Sequence, residues 1–280
     1  RIEEGYVYAE GVLKGAEHTL DFPSVGATEN IMMAATRAEG LTRLINAARE
    51  PEIEDLAQFL NAMGAQISGA GTDMITILGV PSLSGAEHVV MPDRIEVGTF
   101  LAAGAATCGD VTVSGAKAEH LPGFIEKLRE AGAEVEVRGG SIRVACKNPL
   151  SAVDVTTRPY PGFATDLQAQ TMTMLTCAKG VSRIKETVFE NRFMQAAELI
   201  RMGATIDIDG NTAMVRGVEA LSGAPVMASD LRASAALVIA GLMATRGETA
   251  IPRVYHIDRG YERIEERLAA LGADIQRVRA

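Results

Sequence analysis

Apolar and polar positions follow two periods along this chain, and the periods succeed one another in a fixed order. Around 54–62, 122–131, 194–202 and 262–271, apolar residues recur three and four apart with charges between them, which predicts an amphipathic helix. Each of these segments runs into Gly-Ala and then into alternating, β-branched sequence: AQISGAGTDMITILGV, AEVEVRGGSIRVAC, ATIDIDGNTAMVRGV and ADIQRV. A strand pair is expected after each helix, closed by turn residues such as Arg138-Gly139-Gly140-Ser141 and Asp209-Gly210-Asn211. In the last segment only the first strand of the pair is expected.

A second series lies between these segments. ATENIMMAATRAEGLTRLINA, EVGTFLAAGAATCGDVTVSGA, DLQAQTMTMLTCAKGVSRIKET and DLRASAALVIAGLMATRGETAIPRV each read as a helix that is apolar nearly all round, a glycine, and a β-branched strand. A helix apolar on every face is expected to be buried. The turn glycines Gly64, Gly132, Gly203 and Gly272 recur at intervals of 68, 71 and 69 residues, and Gly40, Gly109, Gly180 and Gly247 at 69, 71 and 67. Two landmarks with one period make the chain a repeat of about 69 residues, each unit strand–helix–strand–helix–strand–strand. The glycine after each helix suits a left-handed C-cap. The pattern breaks near Gly85–Asp93, and a domain boundary is placed there, giving 1–90 and 91–280.

Composition narrows the function classes. The 280 residues are 47% hydrophobic, ample for a large core, but only 4% aromatic and without Trp. The net charge of −9 argues against nucleic acid or an anionic membrane as the main partner. A small anionic substrate stays possible, because it needs only a local cluster of arginines. Cys108, Cys146 and Cys177 stand far apart, as do the four histidines; neither set has metal-ligand spacing, and neither a metal nor a cofactor is expected. The cysteines read as reduced, mostly buried thiols of a cytoplasmic protein. The longest apolar run, near 235–244, is too short for a membrane span. The chain begins with Arg1 in mid-pattern and reads as a piece of something longer.

SVGATEN (24–30), AAREPEIEDLAQFL (47–60), GAGTD (69–73), DRIEVGTFL (93–101), TDLQAQ (165–170), ETVFENRF (186–193), SDLRASAAL (229–237) and HIDRGYERIEERL (256–268) occur in an order that resembles the UDP-N-acetylglucosamine 1-carboxyvinyltransferase family, within the EPSP synthase-like superfamily. The resemblance runs from about Gly11 to the end. It implies an inside-out α/β barrel of repeated βαβαββ units in two domains, the first incomplete. Residues 1–90 would be the last repeat of a substrate-binding domain whose first two units are missing. Residues 91–280 would be a second domain of three units whose last strand is missing. A catalytic cysteine loop and a Lys-Asn pair of the family fall outside this chain, and none of the three cysteines matches that loop. The activity implied is transfer of an enolpyruvyl group from phosphoenolpyruvate to the 3-hydroxyl of UDP-N-acetylglucosamine, the first committed step toward peptidoglycan and the cell wall. This piece alone is expected to be inactive, with its first 90 residues poorly held.

That chemistry needs a base for the sugar hydroxyl, an acid for the methylene carbon, cations for the donor's phosphate and carboxylate, and a diphosphate site. From the sequence alone Asp166 reads first as part of a capping box with Thr165 and Gln168; the resemblance reverses that and makes it the base. Asp230 and Arg232 are placed at the active site, the arginine near the phosphoenolpyruvate carboxylate; otherwise they are a cap and a solvated charge. Arg259 is assigned to the donor's phosphate when the domains close, where a planar guanidinium suits paired oxygens; otherwise it pairs with Asp258 or Glu262. Arg192 is a weaker candidate with a structural role. Ser24-Val25-Gly26 opens a helix whose free N–H groups suit the sugar nucleotide, or is a plain serine cap. Val188 and Phe189 line the sugar pocket or the core; Met172 and Met174 read as core.

Three other readings stay open: a shikimate 3-phosphate enolpyruvyl transferase, an RNA-end-processing relative, and a non-catalytic module that binds the sugar nucleotide.

Overall fold

The computed structural model describes residues 1–8 and 10–278. The chain divides into two compact units, one spanning Arg1–Met91 and the other beginning at Pro92.

In the first unit a short hairpin, β1 (Ile2–Glu3) with β2 (Tyr6–Val7), precedes one complete repeat. The repeat runs β3 (Glu17–Thr19), α1 (Val25–Ala35), β4 (Leu41–Ile45), α2 (Pro51–Ala62), β5 (Gln66–Ser68) and β6 (Met74–Leu78). Its sheet has the order β3-β4-β6-β5, with β3 parallel to β4 and the other pairs antiparallel. Strand alternation turns Leu44, Ile75 and Ile77 inward, where they meet Met32 of α1 and Ile53 of α2 in a core of their own. Pro51 starts α2, where a missing N–H costs nothing.

The second unit holds α3 (Arg94–Ala106), β7 (Asp110–Ser114), α4 (Pro122–Glu130), β8 (Glu134–Arg138) and β9 (Ser141–Ala145). There follow β10 (Val155–Thr156), α5 (Gln168–Leu175), β11 (Val181–Lys185), α6 (Met194–Arg201), β12 (Thr205–Asp209) and β13 (Thr212–Arg216). Last come β14 (Leu221–Ser222), α7 (Leu231–Met243), β15 (Ala244–Arg246) and α8 (Ile264–Ala270). The sheet order β10-β11-β13-β12 reproduces β3-β4-β6-β5, with the same parallel and antiparallel pairings. Helices α3, α5 and α7 pack on one another at the centre. The sheets lie outside them, and α4 and α6 lie against β8 and β12. This is the expected inside-out arrangement, and the sequence supplies it directly: α3 is buried without a break from Val97 to Ala105, and α7 from Ala233 to Ala240.

The repeats also close alike. Gly79 donates to the Gly40 carbonyl at 3.0 Å and Val80 to Thr36 at 2.8 Å; Gly217 donates to Gly180 at 3.0 Å and Val218 to Thr176 at 2.8 Å. In the intervening unit Cys146 takes that place, donating to Gly109 at 3.0 Å. The expected left-handed turns are present at Gly64, Gly132, Gly203 and Gly272, with φ of 102°, 97°, 100° and 99°.

Four expectations are corrected. Helix α1 buries only Thr28, Met32 and Ala35, because it packs on α2, β4 and β6 rather than among sister helices. The unit that begins with α3 has no leading strand, so its sheet is β7-β9-β8; Pro81 and Pro92 deny residues 79–92 a regular ladder. Residues 273–278 form no strand after α8, since no described strand lies beside them to accept their hydrogen bonds. Cys108 is exposed, not buried, and takes the positive φ of 50° expected of Gly109, because α3 runs on to Ala106.

Candidate active site

Two of the sequence-derived arginines of the second unit, Arg192 and Arg232, converge on the carboxylate of a third candidate, Asp166. Asp166 lies in a short 3₁₀ turn, Thr165–Leu167, that leads into α5. Arg192, just before α6, donates to Asp166 Oδ1 at 2.5 Å, and Arg232, in the first turn of α7, donates to Oδ2 at 2.9 Å. The two arginine side chains are 18% and 16% exposed while Asp166 is 36% exposed, so the carboxylate sits at the open end of the cluster with its cations behind it. Burial works against ionising Asp166, but the positive charges and hydrogen bonds of Arg232 and Arg192 outweigh it and hold its pKa below the ordinary aspartate value. Asp166 is therefore an anion at neutral pH. In the same way Asp166 more than offsets the burial of Arg232, which keeps its proton.

Arg232 is anchored from behind. Asp230 caps α7 by accepting from the Arg232 and Ala233 N–H groups at 2.9 and 3.0 Å, which fixes where the arginine leaves the helix. Its Nη1 donates to the Tyr261 hydroxyl at 3.3 Å, and that hydroxyl lies 2.9 Å from Thr99 Oγ1 on α3. Gln170 Nε2 donates to both oxygens, at 3.1 and 3.3 Å. Tyr261 is thus a hub joining α3, α5 and α7, at 1% exposure. Tyr261→Phe removes one hydroxyl and takes one partner each from the buried Thr99 and Gln170 and from the half-buried Arg232. A loss of about 1–3 kcal/mol is expected in denaturant unfolding of the chain; an unchanged midpoint would contradict the hub.

The segment after β11 forms the other wall. Glu186, only 3% exposed, accepts from Thr157 Oγ1 (2.6 Å) and the N–H groups of Val188 (2.8 Å) and Phe189 (3.0 Å) on Oε1, and from Thr165 Oγ1 (2.8 Å) on Oε2. Arg192 lies over the Phe189 ring, 4.8 Å from its centroid, and its Nη1 donates to Thr165 Oγ1 at 3.1 Å.

Several of the open alternatives are now decided. The capping box is not made: no side chain caps the turn at Thr165 or the start of α5, Thr165 bonds Glu186, and Gln168 accepts from Gln195. Arg232 is half-buried rather than solvated, and the Asp230 cap is real. Asp258 pairs with Arg277 and Glu262 with Arg267, so neither engages Arg259, which is exposed and has no ion pair among the described residues. Arg259 lies near Tyr261 in sequence but is not joined to the Asp166 cluster. Phe189 is exposed and not core, while Val188 is half-buried; Met172 and Met174 are core. In the first unit Ser24 caps α1, accepting from Ala27 N at 3.3 Å, with Val25 and Gly26 in the first turn and open space at Gly26. Glu186 and Tyr261 are not among the sequence candidates, and Arg192, given a structural role there, pairs with Asp166.

Comparison with known proteins identifies the family. A family model described as EPSP synthase (3-phosphoshikimate 1-carboxyvinyltransferase) matches residues 1–268. The chain belongs to that family. Within the EPSP synthase family it is 60% identical over 279 residues to a Magnetococcus marinus protein named UDP-N-acetylglucosamine 1-carboxyvinyltransferase, covering 99% of this chain and 66% of the relative. A protein of the same name from Anaeromyxobacter dehalogenans is 60% identical over 282 residues, covering 100% and 67%. The chain spans about two thirds of the length of these curated relatives. Among solved structures, the enolpyruvyl transferase NikO from Streptomyces tendae superposes with a TM-score of 0.82 at 29% identity, covering 91% of this chain and 61% of NikO. EPSP synthase from Acinetobacter baumannii shares the fold, with a TM-score of 0.71 at 20% identity, covering 96% and 64%. Among the described residues of this family member, no helix is long and apolar enough to cross a membrane.

Proposed function

We propose that this chain is the part of a UDP-N-acetylglucosamine enolpyruvyl transferase that carries the base and the donor-binding arginines. The observation behind the reading is the 60% identity, along essentially the whole chain, to curated relatives that bear that enzyme's name. The ionised Asp166 gives it a chemical footing. In the proposed step Asp166 takes the proton of the sugar 3-hydroxyl, whose oxygen bonds C2 of phosphoenolpyruvate while an acid protonates the methylene carbon. Loss of that proton and of phosphate then leaves the enolpyruvyl ether. Arg232, positioned by the Asp230 cap, receives the donor's carboxylate, and the exposed Arg259 receives its phosphate. Arg232 spans both partners: an arriving carboxylate competes with Asp166 for the guanidinium, and releasing Asp166 raises its basicity as substrate binds. Val25 and Gly26 offer helix-start N–H groups and Ser24 its hydroxyl to the sugar nucleotide, and Val188 lines the sugar pocket. The product feeds peptidoglycan synthesis in the cytoplasm; both substrates are small anions, and neither cofactor, nucleic acid nor membrane takes part.

The family model's own description names the shikimate enzyme, so the acceptor is the point to test. The chain completed to the length of its relatives is offered phosphoenolpyruvate with UDP-N-acetylglucosamine or with shikimate 3-phosphate. Phosphate release with the sugar nucleotide alone is expected. Release with shikimate 3-phosphate alone would move the assignment to the second acceptor, and release with neither would favour a binding module.

A further inference from the structure

Glu186 belongs to no assigned step, yet it is a carboxyl group sealed in the protein beside the proposed base, accepting four hydrogen bonds. Its bonds have a direction. The Thr165 hydroxyl owns one proton, and giving it to Glu186 Oε2 leaves only lone pairs for its second neighbour. That neighbour is Arg192 Nη1, which can only donate. The chain Arg192 → Thr165 → Glu186 therefore runs one way, and the acceptor at its end sets the sense.

Glu186 also holds Arg192 from the other side. Its Oε1 fixes the Phe189 backbone, and the Phe189 ring carries the Arg192 guanidinium. The remaining end of that guanidinium, Nη2, is on Asp166 Oδ1. Three parts of the second unit meet at this carboxyl group: the end of β10 through Thr157, the turn before α5 through Thr165, and the wall after β11 through Val188 and Phe189.

We infer that Glu186 is the positioning residue of the site: by fixing Thr165 and Phe189 it aims Arg192 at Asp166 and so sets how readily Asp166 takes a proton. The inference rests on the proposed role of Asp166 as base. The charged groups that face Asp166 are Arg192 and Arg232; Tyr261 acts through Arg232 and Glu186 through Thr165.

The test has one readout that does not need turnover. Glu186→Gln keeps the shape but aims an amide donor at Thr165, so the Thr165 hydroxyl proton loses its acceptor and the hydroxyl is no longer held in the sense that aims Arg192. Thr165→Val leaves Glu186 its other three bonds and removes only the link. In both variants the Asp166 carboxyl, followed by carbon-13 NMR, is expected to titrate at a higher pH than in the unmodified chain. In the completed enzyme kcat is expected to fall about 10- to 100-fold with KM for phosphoenolpyruvate little changed. A melting temperature that drops while the Asp166 titration stays put makes Glu186 merely structural and overturns the inference. Should Glu186→Gln fail to fold, Thr165→Val decides, and an unchanged titration there is equally fatal. A shifted titration in a completed protein that turns over neither acceptor upholds the positioning role and removes the proposed function instead.

Discussion

Asp166→Asn in the completed enzyme is expected to lower kcat by about 10² to 10⁴-fold, the usual worth of a positioned general base. The amide still accepts from one arginine but cannot take a proton from the sugar hydroxyl. It also strands charge: Arg192 and Arg232, both largely buried, keep their protons and lose their shared counter-ion. The stability of the variant follows a definite sign. Asp166 has a lower pKa folded than unfolded, so in acid the unfolded chain binds more protons than the folded one. The ion pairs stabilise fully above the ordinary aspartate value of 3.8 and fade as pH drops through the lower, folded value. Acid unfolding of the variant is expected to start from a lower plateau and to fall less steeply near pH 3.8. Turnover at the unmodified rate would remove Asp166 from the chemistry. A loss of turnover with an intact fold would place it there.

Gly217→Ala is expected to destabilise the second unit by about 3 kcal/mol or more. A Cβ at Gly217 would lie 1.6 Å from the Ala178 carbonyl oxygen, and backbone cannot swing aside as a side chain can. Moving apart would break the two bonds that close the repeat, Gly217 to Gly180 and Val218 to Thr176. Gly79→Ala meets the same obstacle in the first unit, with its Cβ 1.6 Å from the Ala38 carbonyl. Gly85 has open space around it and an ordinary φ, so Gly85→Ala serves as the silent control. Denaturant unfolding compares the three. Equal midpoints would mean that strand and helix end are not in contact as described.

Much of the fold was legible because its signals are local. A glycine that must adopt a left-handed turn after each helix repeats with the unit, and that spacing survives in Gly64, Gly132, Gly203 and Gly272. Uninterrupted apolar sequence in α3 and α7 marked the buried helices correctly. The same rule misled at α1, whose sequence is as apolar but whose neighbours leave Met33 exposed. Apolar composition states what a helix can bury, not what is there to cover it. The strand expected at 273–278 failed for a related reason: a strand is a property of two segments, and alternation in one does not supply the other.

At the site, Asp166, Asp230 and Arg232 are proposed because TDLQAQ and SDLRASAAL resemble the family's motifs; their place at helix starts alone reads as capping. Glu186 and Tyr261 could not be picked, since their importance comes from partners such as Thr157 and Thr99, distant in sequence and gathered only by the packing of the repeats. The one local hint was position: Glu186 continues the inward-facing alternation of Ser182 and Ile184 just past the end of β11, where a charge is costly unless it is satisfied.

In the proposed reaction the oxygen of the sugar hydroxyl attacks C2 of phosphoenolpyruvate, and one labelling experiment addresses that step directly. UDP-N-acetylglucosamine carrying oxygen-18 at its 3-hydroxyl is turned over by the completed enzyme, and the products are weighed by mass spectrometry. The label is expected to stay in the enolpyruvyl ether, and the released phosphate to be unlabelled. A labelled phosphosugar with free pyruvate would mean attack at phosphorus, and would contradict the proposed reaction.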